Sequence, residues 1–242
     1  MAERLHFDQR ERTGRLVNWH LLEGLDMSPG GYPVMHKVDP DDLPFGVSDW
    51  LGFNEVATDR HPEGKAVHFF LDDYQFQRVW TTPEKYLDQL RRYAYVLQPD
   101  FSLYTDFPAP MQQWDHYRNQ LLGAWWQGQG LLVLPVAEWG GPETFAWCFE
   151  GLPEDSAVAV STIGSVVHPD TRLLLFQGIQ ELIRQKKPKQ LLIYGRPTPE
   201  IQQLLRDNNV PWLQYAHGQA KRMKAFRERC ESAGIEVDTH GR

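Results

Sequence analysis

The sequence predicts an α/β fold in which a parallel sheet of about six strands alternates with helices. Short apolar, β-prone runs recur from residue 66 onward, and each leads through a polar or glycine-containing turn into a longer helix-prone segment. Runs that are apolar throughout are typical of parallel strands buried on both faces. Six strands fit a barrel-like or a doubly wound sheet, and we favour the barrel-like form. The predicted strands are 67–71, 95–97, 131–136, 157–161, 190–194 and 211–215.

Helix-prone segments separate these runs, and two of them begin with clear start signals. Thr82 and His168 are each followed by a proline, which suits the first position of a helix. The segment 171–185 places its leucines and isoleucines on one side, as in an amphipathic helix that packs against a sheet. The predicted helices are 82–93, 111–127, 142–149, 170–186 and 199–208.

The chain divides into three predicted regions. Residues 1–60 contain the turn-forming clusters SPGGYP and DPDDLP and scattered aromatic residues, which predicts an irregular N-terminal arm packed on the body, with a lid as the alternative. Residues 61–218 form the α/β core domain. Residues 219–242 begin with QAKRMKAFRER and predict a basic C-terminal helix. This helix is either simply solvated or an electrostatic handle for phosphate or an acidic partner.

Charge and composition limit the classes of protein to which the chain can belong. The formal net charge of -7 over 242 residues argues against a surface coated for nonspecific nucleic-acid binding. The two cysteines, Cys148 and Cys230, indicate neither a disulfide framework nor a zinc site. No apolar run reaches the roughly 18 residues of a membrane span, and the charged N-terminus lacks a signal-peptide core. We expect a cytoplasmic protein that does not enter a membrane.

Carboxylates follow the first three predicted strands. The stretch AVHFFLDDYQFQR ends an apolar run in Asp72 and Asp73, while Asp100 follows the second run and Glu138 the third. The carboxyl ends of parallel strands lie at one edge of a sheet, where ligands bind. Because successive strand residues point to opposite faces, we expect Asp72 and Asp73 to have different roles. The predicted catalytic residues are Asp72, Asp73, Asp100 and Glu138.

Further polar side chains near the strand ends are candidates for substrate binding. Arg118 lies among tryptophans, where it could recognise a phosphate, stack on a base or form an ion pair with Asp100 or Asp106; we favour the ion pair. Ser161 and Thr162 precede a glycine, so their backbone and hydroxyl groups could bind a phosphate. The predicted substrate-binding residues are Tyr74, Gln75, Ser102, Arg118, Asn119, Ser161, Thr162, Tyr194 and Arg196, with His217 as a further residue at the sheet edge.

Acids gathered at a sheet edge support two main kinds of chemistry. Two of them can divide into nucleophile and general acid or base, as in glycosyl transfer. Several together can hold Mg²⁺ or Mn²⁺ for phosphoryl transfer or nuclease action. The substrate would then be a nucleotide, a nucleic acid or a glycosyl group. Acids also occur at strand ends because they cap helices, so a structural role is the alternative for each of them. The sequence contains no Walker loop, GxGxxG, HExxH or GxSxG motif.

Six motifs in a fixed order carry a resemblance to a known family: HFFLDDYQFQRVW, VLQPDFSLY, YRNQLLGAWWQGQG, WCFEGLP, AVAVSTIG and LLIYG. Over residues 33–215 the chain resembles the domain of unknown function 4417 family of bacterial and bacteriophage proteins. The resemblance implies a compact intracellular domain often carried by phages or mobile elements, and it brings no catalytic residues with it. FFLDDYQF is also similar to the Asp-containing strand end of base-exchanging transglycosylase barrels. The chain departs from that pattern because it lacks the Ser-Gly-Gly after the aspartates and the zinc-binding cysteines.

Two functional hypotheses follow from these patterns. In the first, the protein is an enzyme with an acidic site at the carboxyl edge of the sheet. In the second, it is a non-catalytic binding or regulatory protein that engages a partner through its basic tail and exposed aromatic side chains. Removal of residues 219–242 distinguishes the two hypotheses. Under the second, the deletion should abolish partner binding, whereas under the first, ligand binding at the acidic site should survive it.

Overall fold

The computed structural model describes residues 8–47 and 49–216. The predicted basic helix and tail at 219–242, together with His217 and Cys230, lie outside these residues. The described chain begins with helix α1 (Asp8–Leu16) and continues through short 3₁₀ helices at Trp19–Leu22 and Pro40–Asp42 before the first strand.

In the described residues, seven parallel strands in two sheets replace the single six-stranded sheet of the prediction. The first sheet has the order β1-β2-β3-β4 and the second the order β5-β6-β7, so within each sheet every strand pairs with its neighbours in sequence. The extra strand is β1, which lies within the region predicted to be irregular. The strands are β1 (Asp49–Gly52), β2 (Lys65–His68), β3 (Tyr95–Leu97), β4 (Val133–Leu134), β5 (Ala157–Ser161), β6 (Gln190–Tyr194) and β7 (Trp212–Tyr215).

A narrow seam joins the two sheets between β4 and β5. Val136 and Ala159 form an isolated parallel bridge. Ala137 donates its N–H to the carbonyl of Ala159 at 2.9 Å, and the N–H of Ala159 donates to the carbonyl of Pro135 at 2.8 Å. The seam therefore continues the parallel pairing for one step beyond the end of β4.

The longer helices agree with the prediction, whereas the shorter ones differ from it. Three long helices match the predicted segments closely, namely α4 (Ala109–Gly128), α5 (Pro169–Lys186) and α6 (Pro199–Asp207). The predicted helix 82–93 starts where expected, with Thr82 as N-cap and Pro83 as the first helical residue, but it is not one continuous α-helix. A 3₁₀ helix at Pro83–Tyr86 leads into the short helix α3 (Leu87–Leu90), and another short helix, α2 (Arg78–Thr81), precedes them. A 3₁₀ helix at Pro142–Ala146 stands where a helix was predicted for 142–149. No helix in the described part of the chain is long and apolar enough to cross a membrane.

Three groups of buried side chains form the core. One lies between the first sheet and helices α2, α3 and α4, and another lies between the second sheet and helices α5 and α6. The third, here called the inner cluster, contains at least one side chain from each of the seven strands. Its strand members are Trp50, Ala66, Tyr95, Leu97, Leu134, Ala157, Ala159, Leu192, Tyr194 and Tyr215.

Aromatic rings of the inner cluster connect the first strand with the last. Trp50 of β1 stacks on Tyr215 of β7 with ring centroids 4.1 Å apart. The indole Nε1–H of Trp50 donates to the hydroxyl of Tyr95 at 2.8 Å. Burial, together with the hydrogen bond to the hydroxyl of Tyr215, raises the pKa of Tyr95 well above its ordinary value, so this hydroxyl stays protonated. Residues more than 160 positions apart in sequence thus meet within one packed cluster.

Candidate functional site

Three of the four predicted catalytic acids meet at the carboxyl edge of the first sheet. Asp73 follows β2, Asp100 follows β3 and Glu138 follows β4, and the charge of Asp73 raises the pKa of both Asp100 and Glu138. Parallel pairing brings them together because it places the ends of neighbouring strands side by side. Asp72 is exposed and accepts a hydrogen bond from Nε2 of Gln75 at 3.3 Å, so its immediate surroundings differ from those of Asp73.

Asp100 and Glu138 form a mostly buried pair of carboxyl groups in hydrogen-bonding contact. Burial raises the pKa of Asp100 to about 7, and the nearby charge of Asp73 acts in the same direction. Burial also raises the pKa of Glu138 well above its ordinary value, with repulsion from Asp100 as the second cause. Two acids this close cannot both ionise easily, so the pair retains a shared proton near neutral pH.

Donors from a loop and from helix α4 fix the position of Glu138. The backbone N–H of Leu103 donates to Oε1 at 2.7 Å, and Nδ2 of Asn119 donates to Oε2 at 3.1 Å. Asn119 also pairs with both backbone groups of Phe101: its Oδ1 accepts from the N–H at 2.8 Å, and its Nδ2 donates to the carbonyl at 3.0 Å. One buried amide therefore holds both the loop after β3 and the carboxylate after β4.

Asn119→Ala is expected to lower the free energy of unfolding by about 2 kcal/mol, because it leaves buried backbone groups of Phe101 without partners. Urea denaturation followed by circular dichroism measures the change. The matched control is Asn208→Ala, since Asn208 is exposed and its side chain makes one bond to the carbonyl of Leu204. Equal losses in the two variants would show that Asn119 does not hold the loop.

A glycine allows the residue beside Glu138 to pack closely on helix α5. A Cβ atom built on Gly178 would collide with the indole ring of Trp139. The absence of a side chain at Gly178 therefore lets Trp139 lie against the helix, which anchors the chain next to Glu138.

Asp73 is held by a different set of donors. The hydroxyl of Ser102 donates to Oδ1 at 3.0 Å, and the backbone N–H of Ser102 lies 3.3 Å from both carboxylate oxygens. Burial raises the pKa of Asp73, the bonds from Ser102 oppose this rise, and the charge of Asp115 adds to it. Asp73 and Ser102, which were predicted separately as a catalytic and a substrate-binding residue, thus link the loop after β2 with the loop after β3.

Arg118 does not form the predicted ion pair with Asp100 or Asp106. Its guanidinium binds Asp115, three residues earlier on α4, and donates to Oε1 of Gln77 at 3.0 Å. The guanidinium carbon also lies 3.7 Å from the centre of the Phe101 ring. The prediction was wrong because a neighbour on the same helix face, one turn away, reaches the guanidinium first.

The remaining predicted site residues lie at the end of the second sheet or on the surface. The N–H and hydroxyl of buried Thr162 both donate to the carbonyl of Tyr194, at 2.9 and 3.3 Å. The hydroxyl of Ser161 accepts from the N–H of Ile163 at 3.2 Å, and Arg196 is exposed. These bonds tie the loop after β5 to β6.

The two other predicted substrate-binding residues, Tyr74 and Gln75, lie in the loop after β2. Tyr74 has 79 % of its surface exposed. Gln75 accepts from Nδ2 of Asn54 at 2.7 Å.

His68, the last residue of β2, was not among the predicted site residues. His68 is buried, its Nδ1 accepts from the N–H of Phe70 at 3.2 Å, and its ring lies 4.4 Å from that of Tyr194. The HFF sequence ends an apolar strand, so the alternation of strand residues could have placed His68 with the interior side chains.

The acids at this edge carry the oxygen ligands that Mg²⁺ and Mn²⁺ prefer. Within residues 8–47 and 49–216, no group of three or more histidine, cysteine or acidic side chains is arranged to hold a metal ion. The suggested Mg²⁺ or Mn²⁺ cofactor therefore stays a prediction.

Comparison with known proteins places the chain among phage-related sequences. It is 46% identical over 133 residues to the Gene 1 protein of Mycobacterium phage D29, and the match covers 55% of this chain and 49% of the relative. It is 44% identical over 133 residues to the Gene 1 protein of Mycobacterium phage L5, covering 55% of this chain and 58% of the relative. The matched segment thus spans about half the length of these relatives.

No solved structure matches the chain. A family model described as "Domain of unknown function (DUF4417)" matches residues 36–216, which include β1 to β7 and the three acids described above. The chain therefore belongs to the DUF4417 family.

Proposed function

We propose that the protein is an enzyme that cleaves or transfers a glycosyl group, with the Asp100–Glu138 pair as its proton-transferring centre. The observation that supports the proposal is the hydrogen-bonding contact between these two mostly buried carboxyl groups at the ends of adjacent parallel strands. A carboxyl group with a pKa of about 7 can both donate and accept a proton at neutral pH, which is the requirement for general acid–base catalysis.

A purely structural role explains the pair less well. Removing two carboxylates from water is costly, and the charge of Asp73 adds repulsion. A neutral amide at position 138 could accept the hydrogen bond from Leu103 without that cost. Acids kept in an unfavourable environment at a sheet edge are typical of functional sites.

The sign of the local charge favours glycosyl chemistry over phosphoryl transfer. Cleavage of a glycosyl bond develops positive charge on the sugar, which a nearby carboxylate stabilises. Phosphoryl transfer requires cations around the transferred group, and Arg118 is already engaged by Asp115. In this proposal the proton shared by Asp100 and Glu138 passes to the leaving group as the glycosyl bond breaks, and Asp73 stabilises the developing positive charge. The ionised pair then accepts a proton from the attacking water or acceptor hydroxyl, which restores its starting state. A nucleoside would be a substrate of this kind because an N-glycosyl bond joins its sugar to its base.

We further propose that the two sheets form the wall of one barrel, with the acids at its mouth. The seam between Val136 and Ala159 supports this architecture. The stacking of Trp50 on Tyr215 supports it as well, because side chains of the first and last strands then meet in one cluster. In barrels of parallel strands the carboxyl-end loops carry the chemistry.

A panel of 4-nitrophenyl glycosides and free nucleosides tests the function. We expect the wild type to release nitrophenol or base from at least one compound, and both Asp100→Asn and Glu138→Gln to reduce the rate by about 100-fold or more. Glu143→Gln is the matched control, because Glu143 is exposed on the segment that follows β4. Release that is equally fast in all four proteins would contradict the assignment of the pair, as would the absence of release from every compound.

A non-catalytic binding protein is the second candidate function, and the exposed ring of Tyr74 favours it. In that case a partner is engaged through the aromatic surface and the basic tail, and deletion of residues 219–242 should abolish partner binding. Under the enzymatic proposal, turnover should survive the deletion.

A further inference from the structure

Exposed aromatic rings concentrate beside the candidate site. Among the described residues, five large aromatic side chains are exposed, and three of them follow β2 or β3. These three, here called the aromatic platform, are Tyr74 at 79 % exposure, Tyr104 at 45 % and Trp114 at 39 %. Large apolar rings left in water next to buried acids are typical of a ligand surface.

The platform is attached directly to the acids. Tyr74 follows Asp73 in the 3₁₀ helix Asp73–Gln75, and Tyr104 lies two residues after Ser102. The bonds from Ser102 to Asp73 join these two loops. A ligand that stacks on the two tyrosines would therefore also lie close to the carboxylates.

Neighbouring groups hold two of the three platform residues, Tyr104 and Trp114, in place. Nε2 of buried Gln112 donates to the carbonyls of Tyr104 and Phe107, at 2.7 and 3.1 Å, and the rings of Tyr104 and Phe107 lie 4.9 Å apart. Trp114 stacks on Tyr117 with centroids 5.7 Å apart. Rings that are fixed before binding lose little conformational freedom when a ligand arrives.

Acidic side chains predominate in the loops that carry the two tyrosines of the platform. Asp72 and Asp106 are exposed and lie two residues from Tyr74 and Tyr104 in sequence, and Asp73 directly precedes Tyr74. Arg118 is neutralised by its ion pair with Asp115. A phosphate chain would meet net repulsion here, whereas hydroxyl groups can donate hydrogen bonds to carboxylates without that penalty.

We propose that the aromatic platform binds an uncharged oligosaccharide, whose C–H faces stack on Tyr74 and Tyr104 while its hydroxyl groups donate to Asp72 and Asp73. The negative face of an aromatic ring attracts the weakly positive hydrogens on a sugar ring. This inference rests on the proposed glycosyl function and deepens it, because it assigns the substrate class as a neutral glycan rather than a nucleic acid.

Isothermal titration with full-length Glu138→Gln tests the inference, since this variant should bind without turnover. The probes are cellotetraose, maltotetraose and chitotetraose, with single-stranded oligothymidylate as the anionic comparison. We expect one tetrasaccharide to bind, and Tyr74→Ala or Tyr104→Ala to raise its dissociation constant about tenfold each, as for loss of a stacked ring. Phe45→Ala is the matched control, because Phe45 is an exposed aromatic residue of the segment before β1.

Three outcomes would overturn the inference: no tetrasaccharide binds, binding is insensitive to both tyrosine substitutions, or oligothymidylate binds more tightly than every sugar. The proposed catalysis fails separately, if the wild type binds a tetrasaccharide through these tyrosines and leaves it intact. Conversely, turnover of small glycosides with no binding of tetrasaccharide would retain the catalytic pair and reject the platform.

Discussion

Replacing Trp50 with alanine is expected to lower the free energy of unfolding by about 4 kcal/mol, as for other buried large aromatic side chains. Trp50 is only 3% exposed, stacks on Tyr215 of the last strand and donates to the hydroxyl of Tyr95. Its removal opens a cavity in the inner cluster and leaves two tyrosine rings without their partner. Urea denaturation followed by far-ultraviolet circular dichroism measures the loss.

Two further variants assign the effect to the contact between the first and last strands. Trp19→Ala removes a ring that is 59% exposed, and it should change stability by less than about 1 kcal/mol. Trp50→Phe keeps an aromatic ring and removes the Nε1–H, so it should cost about 1 kcal/mol for the lost hydrogen bond plus a smaller packing loss. A loss below about 1 kcal/mol for Trp50→Ala would contradict the barrel architecture.

The stability of the wild type is expected to fall relative to that of Glu138→Gln as the pH rises from about 5 to 8. The pKa of Asp100 is raised to about 7, and that of Glu138 is raised as well, so between about pH 4 and pH 7 the folded protein binds more protons than the unfolded chain. This contribution to stability is fully present below the unfolded pKa values and is lost as the pH rises through the folded ones. One proton retained over two pH units corresponds to about 3 kcal/mol.

The difference between the two proteins isolates this effect from other titrating groups. Burial lowers the pKa of His116 to about 4, so His116 destabilises the fold as the pH falls below about 6.5 in wild type and variant alike. The measurement is the free energy of unfolding in urea at several pH values. Glu143→Gln should follow the wild type throughout. Parallel pH profiles for wild type and Glu138→Gln would show that the pair does not retain its proton.

The fold was predictable where strands are apolar throughout. The predicted runs 95–97, 157–161 and 190–194 coincide with β3, β5 and β6. Strand β1 was missed because its four residues, DWLG, alternate in burial and follow a turn-rich segment. The contact between side chains of β1 and β7 could not be predicted for the same reason, since it depends on a strand that the sequence pattern did not indicate.

The candidate site was predictable in outline, because parallel pairing alone brings Asp73, Asp100 and Glu138 to one edge. Its supporting contacts were not. The choice of Asp115 as partner of Arg118 depends on side-chain reach along one helix, and the double role of Asn119 depends on the path of the loop at Phe101. The parallel direction of the strands determines which edge of the sheet a residue at a strand end occupies, whereas such contacts depend on loop geometry.

The strand order has a consequence for synthesis on the ribosome. Within each sheet, every described strand after the first pairs with the strand that precedes it in sequence, so it finds its partner already made when it emerges from the exit tunnel. The first sheet and its helices can assemble while β5 to β7 are still being translated. The meeting of Trp50 with Tyr215 must wait for β7, as must the pairing of β7 with β6, so closure of the inner cluster comes at the end of the vectorial folding of this stretch of chain.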